Sequence, residues 1–310
     1  MGGNGARSRS AMQGRGGGMP GRGVGAGAAG VNAFGGALGG AAGARSTPRI
    51  QAQQPPSADD HGNWATLTNA QMDQLQRQMG QTGFEAGRTK RQGGRGATLT
   101  YVGTSKSYNV NKYLNTDGKD ATHPDSGWIQ RDSQGNYYGR LSIGNIKNTI
   151  GEMDRGMKPL PQTINATRVE SMDMFLNTLK VGGAQHLDGL SKRDIMNMSP
   201  QDLAKTFTGL VRYNKGYTSV AVNESGIKMP DKGEVVCEYS ILQGTKVIVT
   251  NNRAEMEAIV GRGYGQTVTS ARIGNATFKD PNTGRSTTRR CLIANIAVIP
   301  GDQSRWWKVN

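Results

Sequence analysis

Four side chains carry the chemistry this sequence can offer. Glu255 and Glu257 stand two residues apart in NRAEMEAIVGRG, Ser219 lies in GYTSVAV, and Arg168 closes TINATR. What two carboxylates at that spacing can do depends on the local backbone. On a helix they diverge by about 200° and cannot serve one site. On a strand, positions i and i+2 share a face. Thr250-Asn251-Asn252-Arg253 is turn-like and AIV continues as a strand, so the spacing predicts a strand over 255–260 with both acids side by side. Such a pair is costly unless a cation or ligand stands near. Either it lies on a solvated sheet face beside Arg253 and Arg262, or it lines a site. Arg168 also reads two ways. Its planar fork pairs with a carboxylate such as Glu170, or it grips a pyrophosphate. Ser219 alone is a hydroxyl that a strand backbone can satisfy.

Helices must hold these strands. Met72, Leu75 and Met79 recur at helical spacing within 66–80, with Gly80 as a stop. SYNVNKYLN (107–115) predicts a second helix, and 116–136 reads as loop. Ile143, Ile146, Ile150 and Met153 make one apolar stripe over 142–157, ended by Lys158-Pro159-Leu160-Pro161. Ser171, Ser191 and Ser199 read as N-caps of three further helices, with Asp173, Asp194 and Asp202 in their first turns. A strand is expected at 163–169. After residue 215, β-branched runs at 217–222, 234–242, 245–250, 255–260, 266–273 and 291–299 predict six more. Helices first and strands second give an α+β domain.

Composition sets the wider frame. Of 310 residues, 46 are glycine, and Lys plus Arg outnumber Asp plus Glu by 38 to 23, for a formal charge of +15. Residues 1–65 form a Gly/Ala/Arg-rich arm expected to be disordered, 66–97 a short helix with a basic linker, and 98–310 the folded unit. Segments 1–97 carry a net +7, and Arg-Gly stretches can bind RNA or DNA. The longest uncharged stretch of the arm, 24–44, holds only Val24, Val31, Phe34 and Leu38 as large apolar residues. A membrane span needs about 20 predominantly apolar residues, so no membrane partner and no standard signal peptide are expected. His61, His123 and His186 are scattered in polar surroundings, which leaves neither a zinc site nor a His-based triad to build. Cys237 and Cys291 lie in apolar runs without a CxxC and are expected as buried free thiols rather than a disulfide.

The order and flanks of the motifs carry more than any one of them. From Tyr108 to about residue 299 the chain resembles the mono-ADP-ribosyltransferase exoenzyme family, which includes the enzymatic components of clostridial binary toxins and related bacterial and phage transferases. The resemblance rests on SYNVNKYLN, on IGEMDRGMKPLPQTINATR, on GYTSVA and on QGTKVIVTNNRAEMEAIVGRG. Two features depart from the family pattern. Ser-Thr-Ser appears as Ser219-Val220-Ala221, and the loop before the acids has Asn251, Asn252 and Arg253 where many members carry an aromatic residue. The resemblance implies a helical half packed on two small, mainly antiparallel sheets that form an NAD+ cleft. It implies that NAD+ is the substrate and that no metal is needed. Glu257 would hold the ribose and stabilise the developing cation, Ser219 would fix the Glu257 rotamer, and Arg168 would hold the phosphates. Glu255 would favour an arginine acceptor on a host protein. The chain would be secreted or delivered into a host cell, or else act in the cytoplasm. The alternative is a non-enzymatic nucleic-acid-binding or structural protein acting through its arm.

Overall fold

The structure is a computed structural model that describes residues 61, 64–81, 101, 106–123, 127–227, 233–250, 255–279 and 283–301. Side-chain caps start five of the six α-helices among the described residues. Thr68 and Gln71 form a capping box ahead of α1 (Asn69–Gln78). Helix α2 spans Lys106–Asn115. Ser142 caps α3 (Ile143–Gly156), whose stripe buries Ile146, Ile150 and Met153. Ser171 caps α4 (Met172–Val181), Ser191 caps α5 (Lys192–Met196), and Ser199 caps α6 (Pro200–Phe207) with proline in its first turn.

The strands are β1 (Gln130–Arg131), β2 (Tyr137–Tyr138), β3 (Lys158–Pro159), β4 (Ile164–Glu170), β5 (Val211–Tyr213), β6 (Thr218–Ala221), β7 (Val235–Ile241), β8 (Lys246–Val249), β9 (Glu257–Val260), β10 (Gly265–Lys279) and β11 (Ser286–Val298). The β1–β2 pair lies in the stretch expected to be loop, and β10 runs six residues beyond its expected end. Nine strands follow one another in the order β3-β8-β9-β6-β4-β7-β11-β10-β5. Every neighbouring pair is antiparallel except β7–β11. The two expected sheets appear as two blocks of this order. Their seam is β4–β6, which share the single pair Thr167↔Ala221, whereas β6 and β9 share four pairs.

Alternation along the strands divides the core. On β8, Val247 and Val249 join the main cluster with Met72, Leu75, Phe175 and Phe207, while Ile248 joins a second cluster with Ile146, Ile150, Tyr217 and Ile259. Helix α1 and helices α2–α3 therefore cover opposite faces of the β8–β9–β6 block. The expected boundary at 65 falls inside packed chain. Ala65 and Leu67 are buried, Leu67 N–H donates to Val222 O, and Thr66 bridges Asn223. Gln76 and Gln81 of the α1 region bond the β8 backbone at Val249 and Val247, so this helix is built into the core of the 98–310 unit. Cys237 and Cys291 are buried and free, as expected.

Candidate active site

Pairing on β6 and β9 fixes two of the four residues. Ala221 faces Glu257, and Ser219 faces Ile259. Ser219 and Glu257 are thus diagonal neighbours on one face. Both are buried, at 7% and 2% exposure. Arg168 comes from the other side of the seam. Its Nη1 donates to the Ser219 carbonyl oxygen at 2.8 Å, its Nε to Glu170 Oε2 at 3.2 Å, and its Nη2 lies 3.6 Å from Met174 Sδ. Arg168 therefore pairs with Glu170, the first of its two readings, and also reaches the strand that carries Ser219.

Glu255 corrects one expectation. The strand begins at Glu257, and Glu255 and Met256 form a turn in which Met256 has φ 45°. A left-handed residue between the two acids breaks the alternation that would set them side by side. Glu255 is nonetheless buried, at 9% exposure, immediately before the site strand. Arg253 lies outside the described residues. Arg262, the other cation considered beside a solvated acid pair, is bound to Asp154 through Nε at 2.9 Å and Nη2 at 2.5 Å.

Three further features escaped the sequence reading. The first is Tyr101, 2% exposed, whose hydroxyl accepts from Asn111 Nδ2 at 2.7 Å and whose ring meets Tyr217 edge-on at 5.5 Å. Burial raises its hydroxyl pKa, the Glu257 charge adds to the rise, and Asn111, Arg168 and Ser219 oppose it, so three of the four predicted site residues act on this hydroxyl. The second is the buried pair of Glu170 and Arg212, 2.5 Å apart, with Arg212 stacked 5.0 Å over Phe175. Burial alone would raise the Glu170 carboxyl, but Arg212 and Arg168 beside it hold it below its ordinary value. Arg212 is raised: burial opposes its charge, and Glu170 more than restores it. The third is a cavity of about 600 Å³ whose wall includes Tyr108, Asn111, Lys112, Arg168, Arg212 and Thr218. Ser219, Glu255 and Glu257 do not line it. No short motif marks Tyr101 or Arg212, whose roles arise from contacts distant in sequence. Among the described residues, no group of three or more His, Cys, Asp or Glu could hold a metal ion.

A nine-strand mixed sheet split at β4–β6, with helices on its faces and a cavity walled in part by Arg168, Arg212 and Thr218, defines an α+β protein. The sequence matches the ADP-ribosyltransferase exoenzyme family over residues 94–298, and the chain belongs to that family of NAD+-dependent mono-ADP-ribosyltransferase toxins. No curated protein matches the sequence. Similar solved structures include Plx2a, an ADP-ribosyltransferase toxin from Paenibacillus larvae, at 14% identity over 66% of this chain and 85% of that one, with a TM-score of 0.41. C3stau2 from S. aureus with NAD shares 14% identity over 76% of this chain and 98% of that one, with a TM-score of 0.45. The enzymatic component C2-I of the C2-toxin from Clostridium botulinum shares 14% identity over 78% of this chain and 50% of its own length, with a TM-score of 0.48.

Proposed function

We propose that this chain breaks the nicotinamide–ribose bond of NAD+ and transfers ADP-ribose to an arginine side chain of a host protein, which it meets after secretion or delivery. The observation that carries the reading is the convergence of Arg168, Ser219 and Glu257 across the β4–β6 seam. Nicotinamide departs with the electron pair of the C–N bond and leaves an oxocarbenium-like ribose, as in glycoside cleavage. Glu257 is the negative charge placed to stabilise that cation. Ser219, its diagonal neighbour, orients it. Arg168 holds the pyrophosphate and so fixes the ribose.

The acceptor step assigns a role to Glu255. A guanidinium is protonated at neutral pH and attacks only as it loses a proton. A carboxylate next to the reacting strand can bind it and take that proton. The new bond forms between the guanidine nitrogen and the ribose carbon. The test is nicotinamide release and label transfer from NAD+ by Glu257→Gln. Both activities should vanish while the melting temperature stays within a degree or two. Retained transfer refutes the assignment.

A further inference from the structure

His61 is buried and sits between two carboxylates from different parts of the sheet. Its Nδ1 lies 3.0 Å from Glu238 Oε1 on β7, and its Nε2 lies 3.0 Å from Glu224 Oε2, in the turn that follows β6. Glu224 reaches across the seam, since its Oε1 accepts from Thr167 Oγ1 of β4 at 3.1 Å. Thr167 belongs to the one residue pair that joins the two blocks. Arg168↔Cys237 are cross-strand partners, so Thr167 and Glu238, one step along each strand, share the opposite face. The far end of the cluster is fixed as well. Arg272 of β10 donates to both Glu238 oxygens at 3.0 and 3.2 Å, and Asn295 Nδ2 donates to Oε2 at 2.7 Å. The same N-terminal segment bonds Val222, whose N–H donates to Met256 O in the acidic turn at 2.5 Å.

We infer that His61 is a positioning residue: it bolts the β6 block to the β4–β7 block across the seam and so sets the separation between Arg168 on one side and Ser219 and Glu257 on the other. Backbone pairing there is one residue deep, so side chains must supply the rest of the cross-connection. An imidazolium donates from both ring nitrogens and can hold Glu224 and Glu238 at once, whereas a neutral ring donates to one only. Burial lowers the imidazole pKa, but hydrogen bonds and charge from Glu224 and Glu238 outweigh it and lift the pKa from 6.5 to about 9. A raised pKa means that the bolt is in full force below 6.5 and is lost as pH rises through about 9. The charged groups around the ring include Glu224 beyond β6, Glu238 on β7 and, bound to Glu238, Arg272 on β10.

The reading rests on the proposed NAD+ cleavage, and the test separates the two. Nicotinamide release is followed against pH for the full chain and for His61→Gln. The expected result is a kcat about 10- to 100-fold lower, the range for a site loosened by a fraction of an ångström. The KM for NAD+ should move far less, and the wild-type loss of kcat above pH 9 should disappear in the variant. Wild-type kcat, or an unchanged alkaline limb, overturns the inference. If His61→Gln does not fold, Thr167→Val removes only the hydrogen bond to Glu224. A lowered kcat then supports the bolt and an unchanged one overturns it. If the wild-type chain releases no nicotinamide, the cleavage reading fails by itself. Amide exchange in whichever variant folds then decides about the bolt: faster exchange confined to β4 and β6 supports it, and unchanged exchange overturns it.

Discussion

Glu170→Gln is the sharpest probe of how the cavity is held together. The carboxylate gives Oε1 to Arg212 and Oε2 to Arg168, and the Glu170 and Arg212 side chains are 2% and 3% exposed. An amide leaves a fully buried guanidinium without its counter-charge and turns one acceptor into a donor aimed at a cation. Removing one partner of a buried pair costs about 3–5 kcal/mol. For a domain of this size each kcal/mol shifts the melting temperature by about 2–4 °C, so a fall of about 6–20 °C is expected. Arg168 loses the bond that orients its Nε, so the KM for NAD+ should rise as well. Replacing both partners, Glu170→Leu with Arg212→Met, should cost less than either single change, because no lone charge stays buried. The pH dependence has a definite sign. The folded pKa of Glu170 lies below its ordinary value of 4.5, so its contribution is complete above that pH and is lost as the pH falls through the folded value. Chemical denaturation at pH 7 and at pH 4 measures each quantity. A Glu170→Gln chain within about 1 kcal/mol of wild type would show that water or relaxation replaces the ion pair, and the electrostatic account of the cavity would fall.

Four other outcomes are expected. Glu255→Gln should spare NAD+ hydrolysis and lose transfer to arginine, read as nicotinamide release without labelled acceptor; equal loss of both would move Glu255 into the cleavage step. Gly182→Ala should destabilise by about 1–3 kcal/mol, because the added Cβ would overlap the Val211 carbonyl beside Arg212. Gly144→Ala, which meets only Ser142 Oγ at 3.7 Å, should be neutral or stabilising in the same melts. Deleting residues 1–60 should remove any salt-steep RNA binding and leave nicotinamide release intact, as gel-shift and release assays on the two chains would show.

What was legible in the sequence was local. Ser171, Ser191 and Ser199 cap helices because a hydroxyl satisfies N–H groups two or three residues on, and that needs no knowledge of the rest of the chain. The β-branched runs around Ser219 and Cys237 became strands for a similar reason. The site residues were named through motif order, but their geometry was not readable. Nothing in AEMEAIV announces a left-handed methionine, since φ 45° there is imposed by the turn that feeds β9. His61 sits among polar neighbours, yet it is buried by Glu224 and Glu238, 163 and 177 residues away. The β10 extension runs through NATFK, beyond the expected end at 273, because β11 pairs with it from Ser286.

The seam explains why Arg168 meets the strand that bears Ser219. In a continuous sheet the Ser219 carbonyl would be spent on a neighbouring strand. Beyond Thr167↔Ala221 the β4–β6 ladder stops, and Arg168 supplies the donor instead. A guanidinium has five N–H groups, and here they are shared between that carbonyl, Glu170 and a weak sulfur contact, so the fork still has capacity for an anion. Charge points the same way. Of the cations on the cavity wall, Lys112 pairs with Asp120 and Lys215 with Asp117, while Arg168 and Arg212 share Glu170. On that wall two guanidinium groups share the one carboxylate of Glu170. A pyrophosphate entering beside Arg168 would meet two guanidinium groups that share a single counter-charge. Thr218 of the same wall immediately precedes Ser219 on β6, so the cavity and the Ser219 strand share an edge.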